Sequence, residues 1–158
     1  MGFRNGDKVI HSAFGFGEII KIEKKTINGK RENCYVVQIS DMTVWVPIED
    51  SNPTTLRAPT SPEEFIETLP ILTSPMENLE EDRVLRKKQL SDRLNDGHLS
   101  SICRVVRDLT SYQRQTKLND QEKSILERAV KTLLTEWTFS LGTTQLQARQ
   151  AMESMLAN

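Results

Sequence analysis

The chain has 158 residues with 21 basic and 22 acidic side chains, which gives a formal net charge of −1. This size allows one ordinary domain or two small ones and excludes most multi-step enzymes. Because the mean hydropathy is −0.49 and no apolar run approaches the roughly 20 residues that span a bilayer, we expect a soluble protein with no membrane association. No apolar stretch follows a basic start at the N-terminus, so we expect no secretory signal and a cytoplasmic location.

The first 58 residues show the two-residue periodicity of β-strands. Four short runs rich in β-branched and aromatic residues lie at 7–11, 18–23, 34–39 and 42–46. Turn residues separate these runs, namely Gly15-Phe16-Gly17, Asn28-Gly29 and Ser40-Asp41. Four or five strands in so short a segment predict a small, highly curved barrel of the SH3 or Tudor kind, with Pro47 ending the fourth strand.

From Ser61 onward the periodicity becomes helical. Ser61-Pro62-Glu63-Glu64 is a capping box that predicts a short helix ending before Pro70, and residues 70–75 are predicted to be a linker. Further helices are predicted at about 78–94, around 102–109, from a cap at Asn119 to Gly142, and over 146–156. We therefore predict an α+β protein with a β-barrel at 1–58, a short helix and acidic linker at 59–77, and a compact all-helical domain at 78–158.

The residues that most often carry catalysis or bind metals form no motif in this sequence. Cys34 and Cys103 lie in different segments and are predicted to be reduced, structural thiols. His11 and His98 have no Cys or carboxylate at ligand spacing. Gly15-Phe16-Gly17 leads from one predicted strand into another, which favours a hairpin turn over a phosphate-binding loop. We predict no metal, no cofactor and no enzymatic activity.

Charge is distributed along the chain in blocks. Residues 59–82 carry seven acids and no base, whereas residues 83–131 carry twelve bases and six acids. A basic block on a helical domain fits contacts with the phosphate backbone of nucleic acid, although such a block is more often a solvated helix face. Composition alone leaves both interpretations open.

Each half of the chain contains its own short motifs, and these follow one another in a defined order. The front half contains Phe3-x-x-Gly6-Asp7-x-Val9, Ile27-Asn28-Gly29 and Met42-Thr43-Val44-x-Val46-Pro47-x-Glu49. The back half contains Leu94-x-x-Gly97, Val105-Val106-Arg107-Asp108-Leu109 and Leu118-x-x-x-Glu122-Lys123-x-x-Leu126. In order and spacing, these motifs resemble the CarD/CdnL family of bacterial transcription regulators over nearly the whole chain.

The resemblance implies a division of labour between the two domains. The N-terminal domain would be Tudor-like, similar to that of transcription-repair coupling factors, and would bind the β subunit of bacterial RNA polymerase. The helical domain would contact promoter DNA, largely without sequence specificity, near the upstream edge of the transcription bubble and modulate the stability of the open complex. A monomer is favoured. The alternative is a polymerase-binding adaptor that has no direct DNA function.

Site residues follow from the same resemblance. The predicted polymerase contacts are Lys25 and the segment Trp45-Val46-Pro47, where Trp45 replaces a family arginine and could instead be buried in the barrel core. The predicted phosphate contacts are Arg86, Lys87, Lys88 and Lys123, with Arg93 and Arg104 of the basic block as weaker candidates.

Many family members carry a tryptophan at the start of the second helix that wedges into the minor groove. Residues 82–85 of this chain hold no aromatic side chain. Val84 or Leu85 could take that role, because aliphatic side chains also serve as wedges, or either could be an ordinary core residue. Trp137 lies on the apolar stripe of its predicted helix and is expected to be buried.

Overall fold

The computed structural model describes residues 2–52 and 55–157, and contacts between residues divide the chain into two units at Pro59. The first unit is a five-stranded sheet in the order β4-β3-β2-β1-β5, in which every neighbouring pair is antiparallel. Its strands are β1 (Lys8–His11), β2 (Gly15–Ile27), β3 (Lys30–Ile39), β4 (Met42–Pro47) and β5 (Leu56–Arg57). A 3-10 helix, Ile48–Asp50, follows β4.

The hairpin between β2 and β3 turns at Asn28 and Gly29, as the sequence predicts. Both residues have positive φ angles, 52° and 77°, which is the requirement of the two-residue hairpin turn that Asn-Gly favours. Among the residues that the structure describes, seven buried side chains from all five strands form the core of this unit: Val9, Ile19, Tyr35, Val37, Ile39, Val46 and Leu56.

The prediction that Gly15-Phe16-Gly17 forms a hairpin turn is wrong. These residues are the first three of β2, and they pair with His11, Ile10 and Val9 of β1. The turn precedes them, and there His11 Nδ1 accepts hydrogen bonds from the N–H groups of Ala13 and Phe14 at 3.0 and 3.3 Å. Gly17 is required because the strands approach closely: a Cβ at this position would lie 2.7 Å from the carbonyl oxygen of Gln38.

The second unit is helical. It contains α1 (Pro62–Thr68), a 3-10 helix (Leu69–Thr73), α2 (Arg83–Leu94), α3 (Leu99–Gln115), α4 (Asp120–Leu141) and α5 (Gln145–Leu156). All of these elements contribute buried side chains to one core. The α+β class, with a Tudor-like barrel followed by helices, is confirmed.

Residues 70–73, the first part of the segment predicted to be a linker, belong instead to a 3-10 helix that packs into the helical core. Phe65 is fully buried against Trp137, with ring centroids 5.6 Å apart, and Leu69 and Leu72 are buried as well. Residues 70–75 were predicted to be a linker because Pro70 stops an α-helix, but proline is compatible with the first turn of the 3-10 helix that forms there. The predicted burial of Trp137 is confirmed.

Helix α2 begins five residues later than its apolar pattern predicts. Asp82 is its N-cap, and its Oδ1 accepts hydrogen bonds from the N–H groups of Val84 and Leu85 at 2.9 and 3.0 Å. By contrast, both predicted ends of α4 are correct. Asn119 and Glu122 form a capping box, and Gly142 closes the helix with a left-handed φ of 67°.

No helix among the described residues has the length and apolar character that crossing a membrane requires.

Candidate functional site

The barrel carries a cluster of three side chains, Glu23, Lys25 and Trp45, which we call the tryptophan cluster. Lys25 Nζ lies 3.5 Å from the centroid of the Trp45 ring, in cation–π geometry. Trp45 Nε1 donates a hydrogen bond to Glu23 Oε1 at 2.6 Å. The structure thus brings Lys25 and Trp45, two of the residues assigned to polymerase binding, into direct contact.

Strand alternation places Trp45 outside the barrel core. Successive residues of a strand point to opposite faces, and Val46 is 3% exposed in the core while Val44 packs against it. Trp45 therefore points to the outer face, where it is half-buried. Val46 is a core residue that pairs with Tyr35, so its side chain is not available for a contact with the polymerase. Pro47 stays half-exposed beside a cavity of about 320 Å³ next to β3.

Electrostatic interactions stabilise the charged form of Glu23. The hydrogen bond from Trp45 lowers the pKa of this carboxyl, and the Lys21 ammonium, 3.1 Å from Oε2, lowers it further. Cys34, which pairs with Glu23 across β2 and β3, is fully buried, and burial is the main cause of its raised pKa. Burial also raises the pKa of Cys103, to about 12. Both cysteines are free thiols, as predicted.

In the helical unit, the exposed candidates gather at the start of α2. Val84 is 74% exposed and Leu85 52%, so neither is an ordinary core residue. The inner face of the helix explains this, because Arg86, Leu90 and Leu94 are its buried residues. Lys87 and Lys88 remain exposed on the outer face, one turn beyond Val84.

Arg86 is buried and paired within the helical unit, so it is not available for a phosphate contact. Its side chain is 10% exposed, and its Nε donates to Glu122 Oε2 at 2.5 Å. Its Nη1 donates to the carbonyl oxygens of Glu80 and Glu81, and the guanidinium lies 5.2 Å from the Tyr112 ring centroid. Arg86 therefore holds α2 to α3, α4 and the segment before α2.

Arg93 and Arg104 are also engaged within the unit. Arg93 Nη1 lies 2.8 Å from Asp108 Oδ2, and Asp108 is completely buried. Arg104 binds both oxygens of Glu77, at 2.9 and 2.8 Å. Arg107, 2.6 Å from Glu77 and 2.8 Å from Asp108, joins the two pairs into one network. These arginines stabilise the fold rather than presenting free charge.

Sequence reasoning missed the acidic partners that take these arginines out of the candidate site. For Glu77 a signal was present, because an acidic block at 59–82 directly precedes the basic block at 83–131, whereas Asp108 and Glu122 lie within the basic block itself. Glu77 from the first block pairs with arginines of the second, and the two arginines lower its pKa to about 2. Glu23 was missed for a different reason: nothing in the sequence indicates that the Trp45 indole reaches across β3.

Three of the six predicted DNA contacts remain accessible: Lys87, Lys88 and Lys123. Lys88 pairs with Asp92 at 2.7 Å, but both side chains are more than 60% exposed, so the pair is weak. Lys87 and Lys123 form no ion pair with any residue that the structure describes. Lys123 adjoins Glu122, the partner of Arg86, which ties the start of α4 to α2.

Comparisons with known proteins agree with this two-unit arrangement. Residues 3–58 match the family model described as CarD-like/TRCF RID domain, and residues 67–153 match the CarD C-terminal domain. The chain is also 29% identical over 153 residues to the protein named "Putative transcription factor YdeB" of Bacillus subtilis (strain 168), covering 93% of this chain and 97% of that one. Neither family description names an enzyme, and transcription regulation is the functional class that these similarities support. Because the second family match alone spans more than half of the chain, this protein belongs to the CarD-like family.

Proposed function

We propose that the protein regulates transcription by binding bacterial RNA polymerase through its barrel and promoter DNA through its helical unit. The barrel binds the β subunit of the polymerase, and the helical unit contacts DNA near the upstream edge of the bubble and modulates the stability of the open complex. The matched domain descriptions and the name of the B. subtilis relative support the assignment to transcription regulation.

The observation that carries the proposal is the exposed start of α2. Val84 and Leu85 leave apolar surface in water, and Lys87 and Lys88 lie within one turn of them. Lysines supply affinity for phosphates without reading the sequence, and an aliphatic side chain can insert between base steps that are already opened. The exposed apolar side chains could enter a partly unstacked duplex while the neighbouring lysines bind its phosphates. This combination fits a DNA contact better than a helix end that faces only water.

Tethering makes so small a basic surface sufficient. Once the barrel is bound to polymerase, the helical unit meets DNA at a high effective concentration, so weak contacts with the phosphate backbone are occupied. Tethering requires that the barrel bind the polymerase, and the tryptophan cluster is the surface that we assign to this contact. Lys25 and Trp45 belong to the residue types enriched at interfaces or suited to an acidic partner.

The first experiment measures binding of the full chain to bacterial RNA polymerase. Lys25→Glu combined with Trp45→Ala should abolish binding, while circular dichroism shows that the variant stays folded. A folded variant with wild-type affinity would show that the polymerase binds another surface.

The second experiment measures the lifetime of an open promoter complex. Lys87→Glu with Lys88→Glu should shorten the lifetime and reduce the salt slope of DNA binding by about two units, one for each lost phosphate contact. The matched control is Lys131→Glu with Arg149→Glu, which makes the same charge change on α4 and α5. If the α2 pair is as neutral as the control while polymerase binding persists, the protein is an adaptor without direct DNA function.

A further inference from the structure

The tryptophan cluster contains an acid, Glu23, in the middle of a cationic surface. Lys21, Glu23 and Lys25 alternate along β2 and therefore point to the same face of the sheet. Lys30 and Glu32 of β3 oppose Ile27 and Lys25 and lie on this face as well, so at the end of the hairpin the face carries three bases and two acids. A carboxylate at the centre of such a surface would weaken the binding of an acidic partner unless it had another role.

Its contacts link Glu23 to the Trp45 ring. Trp45 lies on β4 and Glu23 on β2, with β3 between them, so the indole must cross a whole strand for Nε1 to reach Glu23 Oε1 at 2.6 Å. The other carboxylate oxygen of Glu23, Oε2, forms an ion pair with Lys21 Nζ at 3.1 Å. Glu23 thus bonds the N–H edge of the ring on which Lys25 rests, and Lys21 holds the carboxylate from the other side.

The Lys25 ammonium retains its hydrogen-bonding capacity in this arrangement. A cation–π contact uses its charge but none of its three N–H donors in a conventional hydrogen bond. Lys25 forms no ion pair with any residue in the described part of the chain. Its side chain is exposed, so the ring holds the ammonium in place while solvent still reaches it.

We propose that Glu23 is a positioning residue of the polymerase-binding surface, and that this surface binds an acidic segment of its partner through the ammonium of Lys25. The inference deepens the proposed function and rests on it. Glu23 holds the Trp45 ring, the ring holds Lys25, and an Asp or Glu side chain of the partner meets the ammonium. A lysine that is ordered before binding loses less conformational freedom when the complex forms, so preorganisation increases affinity.

The test uses the full chain and bacterial RNA polymerase, with dissociation constants measured at several salt concentrations. Glu23→Ala should weaken binding about tenfold because Lys25 is no longer held in place. Glu23→Gln should remain within about threefold of the wild type, because an amide oxygen still accepts the indole N–H. Glu18→Ala is the control: Glu18 lies on the same strand and pairs with Lys8 rather than with Trp45.

Two readouts separate positioning from a general structural effect. In a Trp137→Phe background, where Trp45 is the only tryptophan, its fluorescence should change in Glu23→Ala and be restored in Glu23→Gln. In a Lys25→Gln background, Glu23→Ala should have a much smaller effect on affinity than in the wild type, because the ring then has no ammonium to hold. Lys25→Gln should also flatten the salt dependence of polymerase binding, as expected for an acidic partner.

The outcomes distinguish this inference from the proposed function. If Glu23→Ala binds as tightly as the wild type while Lys25→Glu with Trp45→Ala does not bind, Glu23 has no positioning role and the polymerase-binding surface stands. If Lys25→Gln leaves the salt dependence unchanged, the partner segment is not acidic. If the double variant binds normally, the assignment of the surface itself is wrong.

Discussion

At the scale of single residues, the charge of Glu77 and the small size of Gly17 each stabilise the fold in a way that substitution can test. Glu77 accepts hydrogen bonds from Arg104 and Arg107, which hold its pKa at about 2 instead of 4.5. A carboxyl whose pKa is lower in the folded state stabilises the fold above its unfolded pKa, and that contribution is lost as the pH falls from about 5 to 2.

We predict that Glu77→Gln lowers the free energy of unfolding by about 1 kcal/mol at pH 7, a modest value because the Glu77 side chain is 46% exposed and solvent screens the pairs. The difference between variant and wild type should shrink toward pH 2, which chemical denaturation at a series of pH values measures. Glu81→Gln, an exposed acid of the same segment, should change little. A Glu77→Gln effect that is the same at pH 3 and pH 7 would contradict the charge-based account.

Gly17 is a constraint of shape. A Cβ there would lie 2.6 Å from Ile39 Cγ1 and 2.7 Å from the Gln38 carbonyl oxygen, and the second atom belongs to the backbone and cannot move aside easily. We predict that Gly17→Ala destabilises the barrel by about 1–3 kcal/mol, the usual range for overpacking. Thermal unfolding gives the measurement, and an unchanged melting temperature would show that the sheet relaxes around the methyl group.

At the scale of elements, the buried pair of Arg86 and Glu122 determines how α2 joins α4. Glu122 Oε1 accepts the N–H of Asn119 in the capping box, while Oε2 accepts from Arg86 Nε. Glu122 is 4% exposed, so removing Arg86 leaves a buried charge without its cation.

We predict that Arg86→Ala costs about 3–5 kcal/mol of stability, the typical cost of breaking a buried pair on one side. Combining Arg86→Met with Glu122→Gln should cost less than the sum of the two single changes, because neither charge is then left alone. A double-mutant cycle by urea unfolding tests this directly. Additive effects would mean that the two side chains do not interact across the helices.

The elements themselves were largely predictable from sequence, and the exceptions have physical causes. Turn and cap residues act locally, so Asn28-Gly29, Asn119 and Gly142 could be identified from the chain alone. The 3-10 helix Leu69–Thr73 could not, because its stability comes from burying Leu69 and Leu72 against distant helices. The site was less predictable than the fold: sequence shows that a residue is basic, but only three-dimensional contacts show that Arg86, Arg93 and Arg104 are already paired.

At the scale of the whole molecule, the proposed function predicts that an aromatic side chain at the start of α2 would stabilise the open promoter complex further. Tryptophan provides a flat face for stacking on a splayed base, worth about 1–3 kcal/mol per base, which a valine or leucine lacks. We predict that Val84→Trp or Leu85→Trp lengthens the lifetime of the open complex by about fivefold or more on the same promoter. Both positions are exposed, so neither change should disturb the fold.

The matched control is Leu146→Trp, at an exposed position on α5. Asp82 is unsuitable for substitution because it caps α2. If both tryptophan variants are as neutral as the control, and Leu85→Ala is neutral too, the protein acts on promoters by tethering and backbone charge without a wedge.

The shared use of Glu122 has a consequence for the order in which the helical unit opens. One carboxylate closes the capping box of α4 and anchors Arg86, which in turn binds the carbonyl groups of Glu80 and Glu81. When the first turn of α4 frays, Arg86 of α2 therefore loses its carboxylate partner. When α2 undocks, Glu122 of the capping box loses its cation. Amide hydrogen exchange should show the first turn of α4 and all of α2 losing protection together, as one cooperative unit, before the middle of α4 opens.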